Sequence, residues 1–289
     1  MSEPAPHVEV QPAATVMLVR DAGERRGGSL EVLMLRRHPE SVFAADAWVF
    51  PGGRVDDGDG AGMPLGAGPS DEEASAALGL PSGGLAYWVA AARECFEEAG
   101  ILLARHADTG VWLDTSSEWS AARLARHRRD VHAGAASLGV VLEAEGLVLD
   151  LSGVHYVSHW ITPPGRTARR FDTRFFVAAV PPGQVASHDA TETVESLWIT
   201  PADALARGAV GEIVLVIPTI ANLQALAQFS STEELVASAR AIGHVPVAAP
   251  RFRGDPSVPA GVLAPQSPPD AGPEAGGPGG SPEETACPT

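Results

Sequence analysis

Lysine is missing from this chain of 289 residues; all 20 basic residues are arginine, set against 36 acids, for a net charge of −16. That excludes a Schiff-base lysine and a lysine-dependent phosphate loop, and it argues against a general nucleic-acid-binding surface. Cysteine is nearly absent, with only Cys95 and Cys287. Two cysteines cannot build a disulfide framework or a cysteine-based zinc cluster, and their scarcity fits a reducing, cytoplasmic setting. No apolar run approaches the roughly 20 residues of a membrane helix. The stretch Met1 to Pro12 has neither the basic nor the apolar region of a secretory signal, and the final Cys287-Pro288-Thr289 is not a peroxisomal tripeptide. An acidic protein that handles a phosphorylated ligand must gather positive charge locally, from a few arginines or a divalent cation.

The composition divides the chain into three. Residues 254–289 hold nine prolines, seven glycines and five acids but no base, and the first dozen residues are similar. Such segments bury too little apolar surface to offset their ordering entropy, so 1–12 and 254–289 are expected to be disordered. Residues 13–253 then form one domain. Within it, Ala13–Arg20 and Leu30–Arg36 read as paired strands, and Ala47–Phe50 as a short apolar run stopped by Pro51-Gly52-Gly53. Further strands are expected at Ile101–Arg105, Val154–Ile161, Arg170–Val180 and Val194–Ile199, with helices at Leu85–Ala99, Ser117–His132, Ser137–Glu145, from Thr200-Pro201 onward, Pro218–Phe229 and Thr232–Ile242. Ser70 and Glu73 form a capping box for a short helix to about Leu78. Mixed strands and helices point to an α/β or α+β layered fold.

One helix breaks local rules. Leu85–Ala99 ends Arg93-Glu94-Cys95-Phe96-Glu97-Glu98-Ala99-Gly100. Glu94 lies three residues before Glu97 and four before Glu98, so three carboxylates share one face. They also sit at the negative end of the helix dipole. A hard divalent cation, Mg²⁺ or Mn²⁺, resolves both penalties. Val89, Ala92 and Phe96 leave the other face apolar for the core. On its own the acidic triplet reads more readily as a solvated helix face than as a metal site.

Together with Phe50-Pro51-Gly52-Gly53, the segment resembles the Nudix family of pyrophosphate hydrolases, whose motif is G-x5-E-x7-R-E-U-x-E-E-x-G-U with U a bulky aliphatic. Gly53 matches the first glycine, and Arg93, Glu94, Glu97, Glu98, Gly100 and Ile101 match the second half; Cys95 stands at the first U. The acid six positions after Gly53 is Asp59 rather than glutamate, and 33 residues separate Asp59 from Arg93 where the motif has 7, an insertion of 26. A split box resembles the branch that includes a peroxisomal coenzyme A diphosphatase, as do Arg170 to Phe176, Glu195 to Pro201 and Pro218-Thr219.

The resemblance implies an α/β/α sandwich around a mixed sheet, with an insertion at about 60–84 and extra C-terminal helices. It implies Glu94, Glu97 and Glu98 as metal ligands for Mg²⁺ or Mn²⁺, and Arg93, Glu97 and Glu98 as catalytic residues, with Asp59 a partner for Arg93. Gly52, Gly53, Arg170 and Arg174 are the expected substrate-binding positions, with Arg169 a further candidate for a ribose 3′-phosphate. The general base is one of the box glutamates, Glu192 or Glu195. His155, His159 and His188 read as isolated structural or exposed histidines. The insertion beside the box is a candidate lid or pocket wall, and Ser117–Glu145, with its crowded arginines, reads as peripheral. The implied activity is hydrolysis of coenzyme A or acyl-CoA to 3′,5′-ADP and a 4′-phosphopantetheine product. ADP-ribose, NADH or an oxidised nucleotide are alternative substrates, and a non-catalytic nucleotide sensor is an alternative of another class. The implied partner is a small-molecule nucleotide, with no nucleic acid and no membrane; many members dimerise, so a homodimer is compatible with the resemblance.

Overall fold

The computed structural model describes residues 9–23, 29–41, 44–60, 62–164, 169–189 and 191–250. The expected disordered tail 254–289 lies outside them, as do residues 1–8. Residues 10–12, expected to be disordered, instead open the first strand.

The organising strand is β1 (Val10–Asp21), whose β-branched and aliphatic residues suit a pleated surface buried on both faces. It pairs antiparallel with β2 (Leu30–Arg37), with Val19 opposite Val32, and parallel with β9 (Arg170–Ala179) along ten residues. On one side the sheet continues from β2 to β3 (Ala47–Val49) and β11 (Val214–Leu215); on the other, from β9 to β8 (His155–Ile161) and β12 (Val247–Ala248). β10 (Thr193–Ile199) also pairs with β2, and β4 (Gly52–Arg54) pairs with β1.

Side-chain alternation splits the core into two layers. Ala14, Val16 and Leu18 of β1 face α2 (Leu85–Ala99), where Val89, Ala92 and Phe96 are buried. Met17 and Val19 face the opposite way, into a cluster with Leu223 and Leu226 of α6 (Ile217–Leu226) and Leu235 of α7 (Thr232–Arg240). α5 (Pro201–Ala209) joins this second layer after the Thr200 cap. The architecture is the expected α/β/α sandwich around a mixed sheet.

The insertion folds as α1 (Asp71–Leu78) with β5 (Leu65–Ala67). β5 joins β6 (Ala104–His106) and β7 (Leu147–Asp150) in a second, three-stranded sheet. This strand starts at Ala104, three residues later than the expected Ile101, because Ile101 to Leu103 are taken into the core. α1 has the full Ser70–Glu73 capping box and buries Ala74 and Leu78 against the α2 layer. Its Asp71 also serves α2: the carboxylate accepts from the N–H groups of Gly83 and Leu85, each at 3.0 Å. That supplies the acceptor that Gly84, at the α2 N-cap, cannot offer. α3 (Glu118–His132) and α4 (Leu138–Glu145) complete this layer. Among the described residues, no helix is long and apolar enough to cross a membrane.

Candidate active site

The site is built where β4 runs beside the C-terminal half of α2. The sequence marks Gly52-Gly53 as a turn; they instead form a short strand on β1, with Gly53 opposite Ala14. Only glycine permits the approach. A Cβ on Gly52 would lie 2.5 Å from Thr15 Oγ1, and one on Gly53 would lie 2.3 Å from Glu94 Oε1. The backbone thus touches two box glutamates, for the Gly52 N–H also donates to Glu98 Oε2 at 2.9 Å.

Arg93 ties this arrangement together. Its Nε and Nη2 donate to the two Asp59 oxygens at 2.9 and 3.0 Å. Nη1 donates to Glu94 Oε1 and Glu97 Oε1, both at 2.9 Å, and Nη2 also reaches the Arg54 carbonyl. Burial works against the Arg93 charge, but Asp59, Glu94 and Glu97 outweigh it and hold the guanidinium protonated. The split motif is therefore closed in space: Asp59 meets Arg93 across the insertion.

Negative charge still exceeds positive. Asp59, Glu94 and Glu97 share the Arg93 guanidinium, and Glu98 beside them has the Gly52 N–H and the charge of Arg37. Burial first, then Glu97 and Glu192, push the Glu94 carboxyl up to about 7 against the pull of Arg93. Burial first, then Glu94, holds Glu98 well above the usual carboxylate range, against the Gly52 N–H. Buried carboxylates that repel one another offer a hard, oxygen-only donor set, which fits a divalent cation. Among the described residues, no three His, Cys, Asp or Glu side chains already surround one point closely enough to hold an ion. Arg93 and the Gly52 N–H each engage one oxygen of these glutamates: Glu94 Oε1, Glu97 Oε1 and Glu98 Oε2.

Gly52, Gly53, Arg93, Glu94, Glu97 and Glu98 all line one open cleft of about 1320 Å³. Its floor includes Ala13 and Thr15 of β1 and Phe171, Thr173 and Phe175 of β9; the N-terminal end of α6, with Pro218 and Thr219, closes one side. A family model described as the NUDT19 Nudix domain matches residues 63–226. The chain belongs to this Nudix family.

A chicken relative in the family, named acyl-coenzyme A diphosphatase NUDT19, is 33% identical over 264 residues, covering 77% of this chain and 69% of its own length. The human protein of the same name is 29% identical over 238 residues, covering 71% of this chain and 62% of its own. A crystal structure of a Nudix hydrolase from Alicyclobacillus acidocaldarius is 28% identical, with a TM-score of 0.65 over 80% of this chain and 97% of that one.

Against this Nudix frame, not every expected residue reaches the cleft. Arg174 does not: it is buried on the opposite sheet face, paired with Asp172 and 5.1 Å from the Tyr87 ring centroid on α2. Arg170 shares its strand parity and donates to the Thr162 carbonyl. Arg169, of the other parity, does line the cleft. Glu192 lines it too, whereas Glu195 lies beside Arg36 at 3.5 Å. The insertion is neither lid nor wall among the described residues, since none of the lining comes from 60–84. His155, His159 and His188 lie off the cleft; His159 is buried beside Asp172 at 2.5 Å.

Sequence reasoning missed three contributors. Arg37 and His132 line the cleft. Arg128, from the supposedly peripheral α3, donates through Nε to the Glu97 carbonyl at 2.7 Å and through Nη1 to Ser187 Oγ and the His188 carbonyl. It thereby fastens the end of α2 to the segment leading to Glu192. There, Asp189 accepts from the Thr193, Thr191 and Glu192 N–H groups and fixes the turn.

Proposed function

We infer that the protein is a metal-dependent diphosphatase that cleaves coenzyme A or an acyl-CoA to 3′,5′-ADP and a 4′-phosphopantetheine product. The observation that carries this is the closed half-box: Arg93 bonded to Asp59 and to two of the three glutamates, at the edge of a cleft, in a chain whose relatives are named acyl-coenzyme A diphosphatases. The cleft is large enough for a nucleotide with a long arm.

Glu94 and Glu98 would hold Mg²⁺ or Mn²⁺, with Glu97 as a third ligand. When bound, such an ion neutralises the diphosphate and lowers the pKa of a water. The chain's own residues do the rest. Gly52 and Gly53 let the backbone close on the glutamates without a side chain in the way. Arg93 fixes the carboxylates from behind. Glu192, held by the Asp189 turn, presents a carboxylate outside the helix that accepts the proton of the attacking water. Arg169, which lines the cleft, would receive a ribose 3′-phosphate. The reaction belongs in a reducing, cytoplasmic setting, which the buried, unpaired thiol of Cys95 suits. A homodimer is the family expectation, which light scattering checks.

The test is incubation with coenzyme A and Mg²⁺ or Mn²⁺, with 3′,5′-ADP as the expected product. No product, alongside robust turnover of ADP-ribose, would overturn the substrate assignment.

A further inference from the structure

The cleft must accept a polyanion although its helix wall is acidic and the chain carries a net −16. Its cations are not equivalent. Arg93 is committed to Asp59, Glu94, Glu97 and the Arg54 carbonyl. The Arg54 side chain is 62% exposed and leans on Asp56 at 4.0 Å.

Arg37 differs. It ends β2, in register with Thr193, and the next residue, His38, donates its N–H to the Glu192 carbonyl at 2.9 Å. The guanidinium therefore belongs to the wall that carries Glu192, and its charge reaches Glu98. Its Nε is shut off from solvent without a hydrogen-bond partner, and no side chain among the described residues pairs with it. The adjacent Arg36, by contrast, has its acceptors: it pairs with Asp46 at 2.7 Å and Glu195 at 3.5 Å. Strand alternation places these two arginines on opposite faces. The one turned outward from the cleft is paired, and the one lining it is left without an acceptor. Leaving such a donor unsatisfied is costly unless a ligand completes it.

We propose that Arg37 is a substrate-binding residue whose guanidinium donates to the non-bridging oxygens of the diphosphate, from the β2–β10 side of the cleft. A planar donor fork matches phosphoryl oxygens, and the group adds positive charge beside the carboxylates without neutralising them through a salt bridge. The assignment rests on the reading that this cleft hydrolyses a diphosphate.

Steady-state kinetics of Arg37→Met and Arg37→Lys on coenzyme A, with Mg²⁺, test it, together with calorimetric titration of inorganic diphosphate in the presence of Mg²⁺. Arg37→Met is expected to raise KM and weaken diphosphate binding in parallel by about tenfold or more, the size of one charge-assisted hydrogen bond, with a smaller loss in kcat. Arg37→Lys is expected to recover part of both. If KM and diphosphate affinity stay within twofold of wild type, or if only kcat and thermal stability fall, the inference is overturned. Should the wild type turn over no coenzyme A, the substrate reading fails, while diphosphate titration still reports on Arg37.

Discussion

Asp59 and Arg93 are 34 residues apart in the chain and share two hydrogen bonds, of 2.9 and 3.0 Å. Asp59 thus stands where the first half of the box has a glutamate, one methylene shorter, and the fold brings it to Arg93. Asp59 is buried and Arg93 mostly so, with side-chain exposures of 3% and 12%. Removing Asp59 leaves Arg93 its Glu94 and Glu97 partners but strips two charge-assisted hydrogen bonds from it, which costs about 3 kcal/mol or more at roughly 1.5 kcal/mol or more per bond. Asp59→Ala is expected to lower Tm by roughly 6–12 °C and to abolish most turnover, because Arg93 then no longer holds Glu94 and Glu97. Calorimetry and a product assay check both; wild-type activity in a folded Asp59→Ala protein would refute the role.

Gly53 supplies a sharper test of the site, since the change is one methyl group. Its Cβ would overlap Glu94 Oε1 at 2.3 Å, so the carboxylate must swing away or β4 must lift off β1. Gly53→Ala is expected to reduce kcat on the order of a hundredfold, the scale of an ångström misplacement. Mn²⁺ affinity, read by electron paramagnetic resonance, is expected to weaken about tenfold or more, as when groups supporting metal ligands are disturbed. An unchanged Mn²⁺ affinity would separate Glu94 from the metal.

What the sequence revealed and concealed has a physical pattern. The α2 bounds, the Ser70 capping box and the β1–β2 pair were legible because periodicity, caps and β-branched runs are local signals. β4 was not, because Gly52 and Gly53 form a strand only through close backbone contact with Thr15. Strand parity was a signal left unused: Phe171, Thr173 and Phe175 line the cleft, so Arg169 shares their face while Arg170 and Arg174 do not. Arg128 could not be found by any local rule, since its partners lie 31 and 59 residues away.

That Arg128 clamp gives a third prediction. The guanidinium binds the Glu97 carbonyl and the Ser187 hydroxyl, so it sets the distance between the end of α2 and the turn that carries Glu192. Arg128→Met is expected to cost about 1.5–3 kcal/mol, as for hydrogen bonds to charged groups, and to lower kcat about tenfold or more through misplacement of Glu97 and Glu192. Coenzyme A KM is expected to change less, since Arg128 is not part of the cleft lining. A loss of stability with kcat intact would reduce Arg128 to a packing residue.

The insertion makes a contribution that pH exposes. Asp71 accepts from the Gly83 and Leu85 N–H groups, and the first of these bonds is the largest cause holding its carboxyl below the ordinary 3.8. A carboxylate whose folded pKa is depressed adds stability above its unfolded pKa and loses it as pH falls through the folded value. Wild type is therefore expected to be more stable than Asp71→Ala at pH 6, with the gap narrowing as pH drops below 3.8. Urea unfolding of both proteins across that range measures it. A gap that stays constant with pH would mean that α1 supports the Nudix helix by packing alone, without the cap that Asp71 lends to Leu85.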